Sequence, residues 1–203
     1  MHRLPRRQSR CRRPHLVQNW AIRGQTGGNI RKFVSPRNGR HNWRASVRRS
    51  REAATDRTRR SAGKAIDAPW DVLDRAYFNG YALWSYLTTP FHFVMPGFSV
   101  EEIDPWRESD ELWLGLRVTY PPDIASHSRN QDFYFGSDFL FRRHDHHVEA
   151  SGGFAAAHYV FDPVTVQGIT FPTKRRAYMR DDRLMPIHDR LMVSIDRSDI
   201  VFS

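Results

Sequence analysis

The chain lacks any run of apolar residues approaching the roughly 18 that a membrane-spanning helix needs, which excludes a helical membrane protein. It has a single cysteine, Cys11, which excludes an intramolecular disulfide framework and a cysteine-rich zinc module. The first 64 residues also have few acidic and aromatic side chains. They hold only Glu52 and Asp56 as acids, and 23 of the 26 aromatic residues lie in 65–203. Only this second part can therefore bury a sizeable hydrophobic core.

Residues 1–64 are strongly basic. They hold 19 Lys and Arg residues and a net charge of +17, whereas residues 65–203 carry a net charge of −7. Gly, Pro, Ser and Asn separate the arginine clusters, and no apolar period of 2 or 3.6 residues persists. Such a composition buries too little apolar surface to offset the entropy of ordering the chain. We therefore predict a disordered segment over 1–64 and one folded domain over 65–203.

Three explanations of the basic segment are open. It could bind nucleic acid through phosphate contacts, with Trp20 and Trp43 stacking on bases. It could be a targeting leader, although it has neither an apolar core nor a clear amphipathic helix. It could also be a stretch that was never selected as protein, because a misread frame or misplaced start in a GC-rich gene yields many arginine codons. Nucleic-acid binding is not favoured, since no nucleic-acid fold signature accompanies the charge.

A helix is predicted from about Asp67. This residue suits a helix N-cap, and proline, as at Pro69, is tolerated in a first turn. Asn79-Gly80 indicates a kink, and Pro90 ends the pattern. Apolar residues recur at steps of three and four, which is typical of a helix with one buried stripe: Trp70, Leu73, Tyr77, Tyr81 and Trp84.

Beyond Pro90 the apolar period changes to two. Every second residue from Leu112 to Val118 is apolar, which predicts a half-buried strand. Glu101, Glu102 and Asp104 are expected in a solvated connection. Turn-forming residues separate the further predicted strands, which are residues 131–135, 139–148, 154–161, 168–171, 175–180 and 191–202.

The predicted strands follow one another through turns, without helical crossovers. Short strands in this arrangement indicate an antiparallel meander. The predicted fold class is therefore α+β, with one or two helices packed against a curved antiparallel sheet and a disordered basic segment before it.

Several stretches resemble a group of uncharacterised bacterial proteins related to the lipoprotein carriers of the LolA/LppX type. They are AYFNGYALWSYLTTP at 76–90, YFGSDFL at 134–140, AHY at 157–159, GITFPTKR at 168–175 and VSID at 193–196. The resemblance covers about residues 67–203. It implies a half-open barrel in which a curved sheet, plugged by helices, presents a concave apolar face to a lipid or another hydrophobic ligand.

The chain departs from this group at its amino-terminal end. Similar proteins carry an opening helix and first strands there, whereas this chain carries the arginine-rich segment without a strand pattern. The resemblance therefore implies a barrel that lacks part of its wall.

A histidine-rich stretch, His144 to His147, lies on one predicted strand. Alternation places His144 and His146 on the same face, and a turn centred near Ser151 places His158 opposite His144. Three imidazoles would then lie within reach of one metal ion. The other interpretation is a polar, solvated outer face. Because the cluster has no evident carboxylate as an outer hydrogen-bond partner, and a register error of one residue would separate the histidines, we expect neither a metal nor a cofactor.

A second polar group lies in the loop after the predicted strand 112–118. His127 and Arg129 are close in sequence to Asp123, which suggests acid–base chemistry or anion binding. No nucleophile elbow, glycine-rich phosphate loop or paired-carboxylate motif accompanies them. An enzyme that uses His127 and Arg129, or His144, His146 and His158, is therefore the alternative function, with no catalytic residue assigned.

The aromatic content of residues 65–203 is generous for one small core. Half-open barrels use such rings to line a cleft. The leading functional expectation is therefore a non-enzymatic module that binds an apolar small molecule or lipid. The candidate ligand-binding residues are Trp84, Trp113, Phe133 and Phe135. Alternation places Trp113 on the face opposite Leu112 and Leu114, so only one of these two sets can line the cleft.

No export signal precedes the folded part. For the sequence as written we expect a cytoplasmic location, and a start further upstream with an apolar leader would instead indicate the periplasm or cell envelope.

Overall fold

The computed structural model describes residues 18–19 and 64–201. The predicted disorder of residues 1–64, and any nucleic-acid contact made there, therefore lies almost wholly outside the described residues. Within the described part of the chain, no helix has the length and apolar character needed to cross a membrane.

The one α-helix of the described residues, α1, spans Val72–Thr88. Its N-cap is Asp71 rather than the predicted Asp67. The backbone N–H of Asp74 donates to Asp71 Oδ1 (2.7 Å), and that of Asp71 donates to Asp74 Oδ2 (3.2 Å). This reciprocal capping box satisfies two N–H groups at the helix start. The helix continues through Asn79-Gly80 and stops before Pro90, as predicted for its end.

The buried face of α1 differs from the predicted stripe. Leu73 is 56% exposed, and Trp84 is half-buried. The prediction counted only apolar residues, whereas the packed face includes hydroxyl groups that find partners inside the protein. Its buried residues are Phe78, Tyr81, Ala82, Ser85 and Tyr86.

The sheet is curved and open, and its long strands form an antiparallel meander. A two-residue strand, β1, pairs parallel to the last strand at one edge. Spatial order along the sheet is β1-β8-β7-β6-β5-β4-β3-β2. The strands are β1 Gln18–Asn19, β2 Ser99–Glu108, β3 Glu111–Thr119, β4 Asn130–Phe135, β5 Phe141–Val148, β6 Phe154–Val166, β7 Ile169–Arg180 and β8 Pro186–Asp196. The predicted α+β class with one packing helix is confirmed.

Two features of the sheet were not predicted. The acidic residues Glu101, Glu102 and Asp104 lie in edge strand β2 rather than in a connection, and the register shifts between Ile103 and Trp106. Exposed charges, an internal proline and a bulge are common at sheet edges, where they hinder pairing with other chains. The two predicted strands at 168–171 and 175–180 form a single strand, β7.

Each face of the sheet has its own buried cluster. The face toward α1 buries two groups of side chains, one around Phe78, Tyr81 and Tyr86 and the other around Tyr120 and Phe133. The opposite face buries Trp113, Tyr134, Ala157 and Tyr159. We call these two surfaces the helix face and the outer face.

Candidate metal centre

Three histidines meet on the helix face. His144 and His146 alternate with Arg143 and Asp145 along β5, so both imidazoles point to the same side. The glycines of the β5–β6 turn, Gly152 and Gly153, have φ values of 71° and 69°, and the turn sets His158 directly opposite His144. One ligand nitrogen from each of the three histidines lies within 4.8 Å of those of the other two. The predicted register and the predicted gathering of the imidazoles are therefore confirmed.

These histidines are buried, and the interpretation of a solvated face is wrong. His144 is 1% exposed, His146 3% and His158 0%. The cause is α1, which covers this part of the sheet. The ring of Tyr86 lies edge-on to His158, with 4.8 Å between centroids.

Three nitrogen atoms of this triad have no hydrogen-bond partner among the described residues. They are His146 Nδ1, His158 Nδ1 and His158 Nε2. A buried polar atom without a partner costs about 1–3 kcal/mol, because it has lost water and gained nothing in return. The triad therefore contains ring nitrogens that no described residue uses.

Gln131 of β4 sets the orientation of His144. The Gln131 side-chain N–H donates to the carbonyl oxygen of Ser128 (2.7 Å), so its Oε1 faces His144 Nε2, 2.6 Å away. An acceptor at this distance requires the hydrogen on Nε2, which leaves the lone pair of His144 on Nδ1. An amide thus supplies the outer hydrogen bond that carboxylates and carbonyls commonly give to metal-binding histidines.

The electrostatic setting keeps the three imidazoles neutral. Burial lowers the pKa of His144, His146 and His158 well below the usual value, and neighbouring imidazoles and arginines lower it further. A neutral imidazole is the form that binds metals, whereas a protonated one has no free lone pair on either ring nitrogen.

His127 belongs to the same cluster but is fully bonded. Its ring stacks on His146, with 4.3 Å between centroids. Its Nε2 lies 2.7 Å from the Tyr86 hydroxyl, and its Nδ1 lies 3.4 Å from the Tyr81 hydroxyl. Burial lowers the pKa of His127 to about 3. Arg129, in contrast, is exposed, so the predicted pair of His127 and Arg129 does not share one environment.

The four candidate ligand-binding residues do not lie in one place. Phe133 stacks on His144 with 4.3 Å between centroids, and Phe135 lies in the same apolar cluster. Trp84 is on α1, 5.4 Å from the His92 ring. Trp113 is on the outer face, where its Nε1 donates to Glu111 (2.6 Å). The structure therefore brings Phe133 and Phe135 together and separates them from Trp113.

An open apolar pocket of about 200 Å³ lies on the helix-face side of β4, β5 and β6. Phe135 is the only one of the four candidate residues in its wall. Aromatic rings dominate the lining, which includes Phe91, Phe135, Phe139, Phe141, Phe161 and Phe171.

The outer face holds a different buried polar cluster. Arg143 is 0% exposed, and its Nε and Nη2 donate to the two oxygens of Asp145 at 2.6 and 2.7 Å. Its Nη1 donates to the Tyr159 hydroxyl (3.1 Å), and Trp106 lies over the guanidinium at 4.3 Å. Burial opposes the charge, but the bonds and charge of Asp145 raise the pKa of Arg143 above its ordinary value. The charge of Arg143 is therefore neutralised within the protein by Asp145.

Sequence reasoning missed Gln131, Tyr86 and Arg175 as parts of the site. Gln131 had a usable signal, because it alternates with Phe133 and Phe135 and so puts an amide on an apolar face. Comparison of the chain with protein-family models, with curated proteins and with solved structures finds no match.

Proposed function

We propose that this protein binds a divalent transition-metal ion through His144, His146 and His158. The observation that carries the proposal is the burial of three neutral imidazoles, each with one nitrogen within 4.8 Å of those of the other two. His146 and His158 also have ring nitrogens without partners among the described residues. Two features of the sequence argued against a metal: the strand register was uncertain, and no outer hydrogen-bond partner for the histidines was evident. The pairing of His144 with His158 and the bond from Gln131 answer both.

Zinc fits the donor set best. It favours imidazole nitrogen and binds three protein ligands, with one position left for water or substrate, at its catalytic sites. Zinc–nitrogen bonds of about 2.0–2.1 Å in a tetrahedron place ligand nitrogens about 3.4 Å apart. To reach this spacing, the three ligand nitrogens would move together from their present separations of at most 4.8 Å. Rotation of the side chains can supply this movement.

The charge of the site supports an exchangeable fourth ligand. Three neutral histidines leave the full charge of the ion uncompensated, and the buried carboxylate of Asp145 points to the outer face. A zinc ion held by these histidines would lower the pKa of a bound water toward neutrality, which is the chemistry that a hydrolytic zinc site would need.

Calorimetric titration of the full-length, chelator-treated protein with zinc tests the proposal. We expect the wild-type protein to bind one equivalent of zinc strongly, and we expect His158→Gln and His144→Gln to lose this binding. His147→Gln is the matched control, because His147 lies on the same strand but is exposed. Equal zinc stoichiometry and affinity in all four proteins would overturn the proposal, since the triad would then contribute nothing.

The apolar pocket favours a second function, binding of a small lipid through an acyl chain. Its aromatic lining supports this function, as does the resemblance to the lipoprotein-carrier group. Phe139 is 76% exposed at the pocket, so Phe139→Ser should weaken binding of a fluorescent fatty acid without unfolding the protein. Leu112→Ser, an exposed apolar residue outside the pocket, serves as the control. Absence of displaceable probe binding to the wild-type protein would end the lipid hypothesis.

A further inference from the structure

Two buried guanidinium groups lie next to the triad without a counterion. Arg175 of β7 is 1% exposed, and its Nη2 donates to the backbone oxygen of Tyr86 (2.8 Å). Its Nε and Nη1 have no partner among the described residues. Arg197 follows β8 and donates from Nη2 to the carbonyl of Pro172 (2.7 Å), while its buried Nε and Nη1 likewise lack partners in the described part. Three of the five N–H donors of each group are therefore unused.

The surroundings of Arg175 are aromatic rather than acidic. Its Cζ lies 4.5 Å from the ring centroid of Tyr86 and 5.6 Å from that of Phe141. Between residues 64 and 201, no aspartate or glutamate forms an ion pair with Arg175 or Arg197. Burial, and then the charge of Arg197, lower the pKa of Arg175 to about 9. A cation in this position is costly unless an anion neutralises it.

Arg143 provides the internal comparison. It is as deeply buried as Arg175, in the adjacent part of the same sheet, yet every nitrogen of its guanidinium donates to an oxygen. The fold can therefore supply a carboxylate to a buried arginine where one is needed for stability. On the helix face it does not, although the same burial cost applies.

We propose that Arg175 and Arg197 form a binding site for the oxyanion group, carboxylate or phosphate, of a small ligand that enters on the helix face. Guanidinium groups bind both kinds of oxyanion through charge-assisted hydrogen bonds. The site adjoins the triad, because the ring of Tyr86 contacts both Arg175 and His158. It also adjoins the apolar pocket, whose wall includes Phe141 and Pro172. The arginines require an anion whether or not the triad holds a metal.

The test uses the full chain in chelator-containing buffer, so that no metal takes part. Thermal unfolding and calorimetry are measured with inorganic phosphate and, separately, with acetate, each against sodium chloride at equal ionic strength. We expect one of the two oxyanions to raise the Tm beyond the chloride control. The more effective one identifies the ligand's anionic group.

The variants separate this site from the other cations of a basic protein. Arg175→Met should weaken oxyanion binding at least tenfold, because it removes charge-assisted donors that are shielded from water. Arg176→Gln is the matched control, because Arg176 is the next residue of β7, points to the outer face and pairs with Asp196. The oxyanion affinity of this variant should stay within twofold of wild type.

Two further measurements keep the proposal testable if Arg175→Met does not fold. Arg197→Met, at the less buried member of the pair, should weaken the same binding. In the wild-type protein, the Nε–H resonances of buried arginines should shift on titration with the effective oxyanion. No effect beyond chloride on Tm and no resonance shift, or equal affinity in Arg176→Gln and both methionine variants, would overturn the proposal. Arg175→Met should still bind one equivalent of zinc, at least as tightly as wild type, because the variant keeps the three histidines and removes a positive charge beside them. A failed metal site and a failed oxyanion site therefore give different results.

Discussion

Four consecutive residues of β5, Arg143 to His146, divide between two kinds of buried polar cluster. All four are at most 3% exposed. On the outer face, Arg143 donates to both carboxylate oxygens of Asp145, to the Tyr159 hydroxyl and to the backbone oxygen of Leu184. On the helix face, His144 and His146 join His158 and Arg175, and several of their nitrogens lack partners among the described residues. Burial by itself therefore does not distinguish a structural polar cluster from a binding site, whereas hydrogen-bond completion does.

The largest expected effect comes from breaking the network between Arg143 and Asp145. Asp145→Asn leaves the Arg143 charge buried without its main counterion, which typically costs about 3–5 kcal/mol. Urea unfolding of the metal-free protein measures the loss. Asp138→Asn removes the exposed ion pair with Arg142, whose worth is less than about 1 kcal/mol, and serves as the control. Similar losses in both variants would show that the outer-face network does not contribute more than a surface pair.

Acid should weaken the helix face next. Both ring nitrogens of His92 are hydrogen-bonded, Nε2 to the Tyr120 hydroxyl (2.7 Å) and Nδ1 to the Thr88 hydroxyl (3.2 Å). Burial lowers the pKa of His92 to about 4. The unfolded chain has a histidine pKa of about 6.5 and so binds more protons between these two values. The contribution of buried, neutral His92 to the free energy of unfolding is therefore complete above pH 6.5. It is lost as the pH falls, by about 3 kcal/mol at pH 4.

Urea unfolding as a function of pH checks this expectation. His92→Gln should flatten the fall in stability between pH 6.5 and 4, because one proton fewer is taken up on unfolding. The exposed His188 gives the control variant His188→Gln. An unchanged slope in His92→Gln would show that His92 is not a group through which acid acts.

A smaller effect is expected on the zinc affinity of the helix face when the outer partner of His144 is removed. Gln131→Leu removes the acceptor that holds the proton on His144 Nε2 while keeping similar bulk. Loss of such an outer partner typically reduces metal affinity 10- to 100-fold, so we expect about this change in zinc affinity by calorimetry. Asn130→Leu, at the neighbouring exposed position, should leave the affinity unchanged. Equal affinity in the two variants would mean that Gln131 does not orient the ligand.

The smallest expected effect is on stability without metal. His158 has no hydrogen bond to lose among the described residues, so His158→Leu should be neutral or stabilise the chelator-treated protein by about 1 kcal/mol. The same variant should lose the bound zinc. A loss of stability comparable to that of Asp145→Asn would show that the triad is structural, like the network on the outer face.

The fold and part of the site followed from local patterns. Turn residues and two-residue alternation placed most of the strands correctly, including the pairing of His144 with His158. The helix was predicted in place, but its predicted N-cap was wrong and its predicted buried face was only partly right. Asp71 caps it through a reciprocal bond with Asp74, and the packed face includes Ser85, whose hydroxyl lies 3.1 Å from that of Tyr120. Such polar contacts across the interior have no signature in an apolar period.

The sequence by itself determined which side chains share a face of the sheet. Backbone geometry points successive residues to opposite sides, and the Gly152-Gly153 turn sets the register. Only the tertiary structure decided what each face became. Burial of the triad depends on α1, whose Tyr81 and Tyr86 lie more than fifty residues away along the chain. The partner of a buried charge can come from either level. Arg143 finds Asp145 two residues along its own strand, whereas Arg175 meets Tyr86, which comes from α1 and brings no carboxylate.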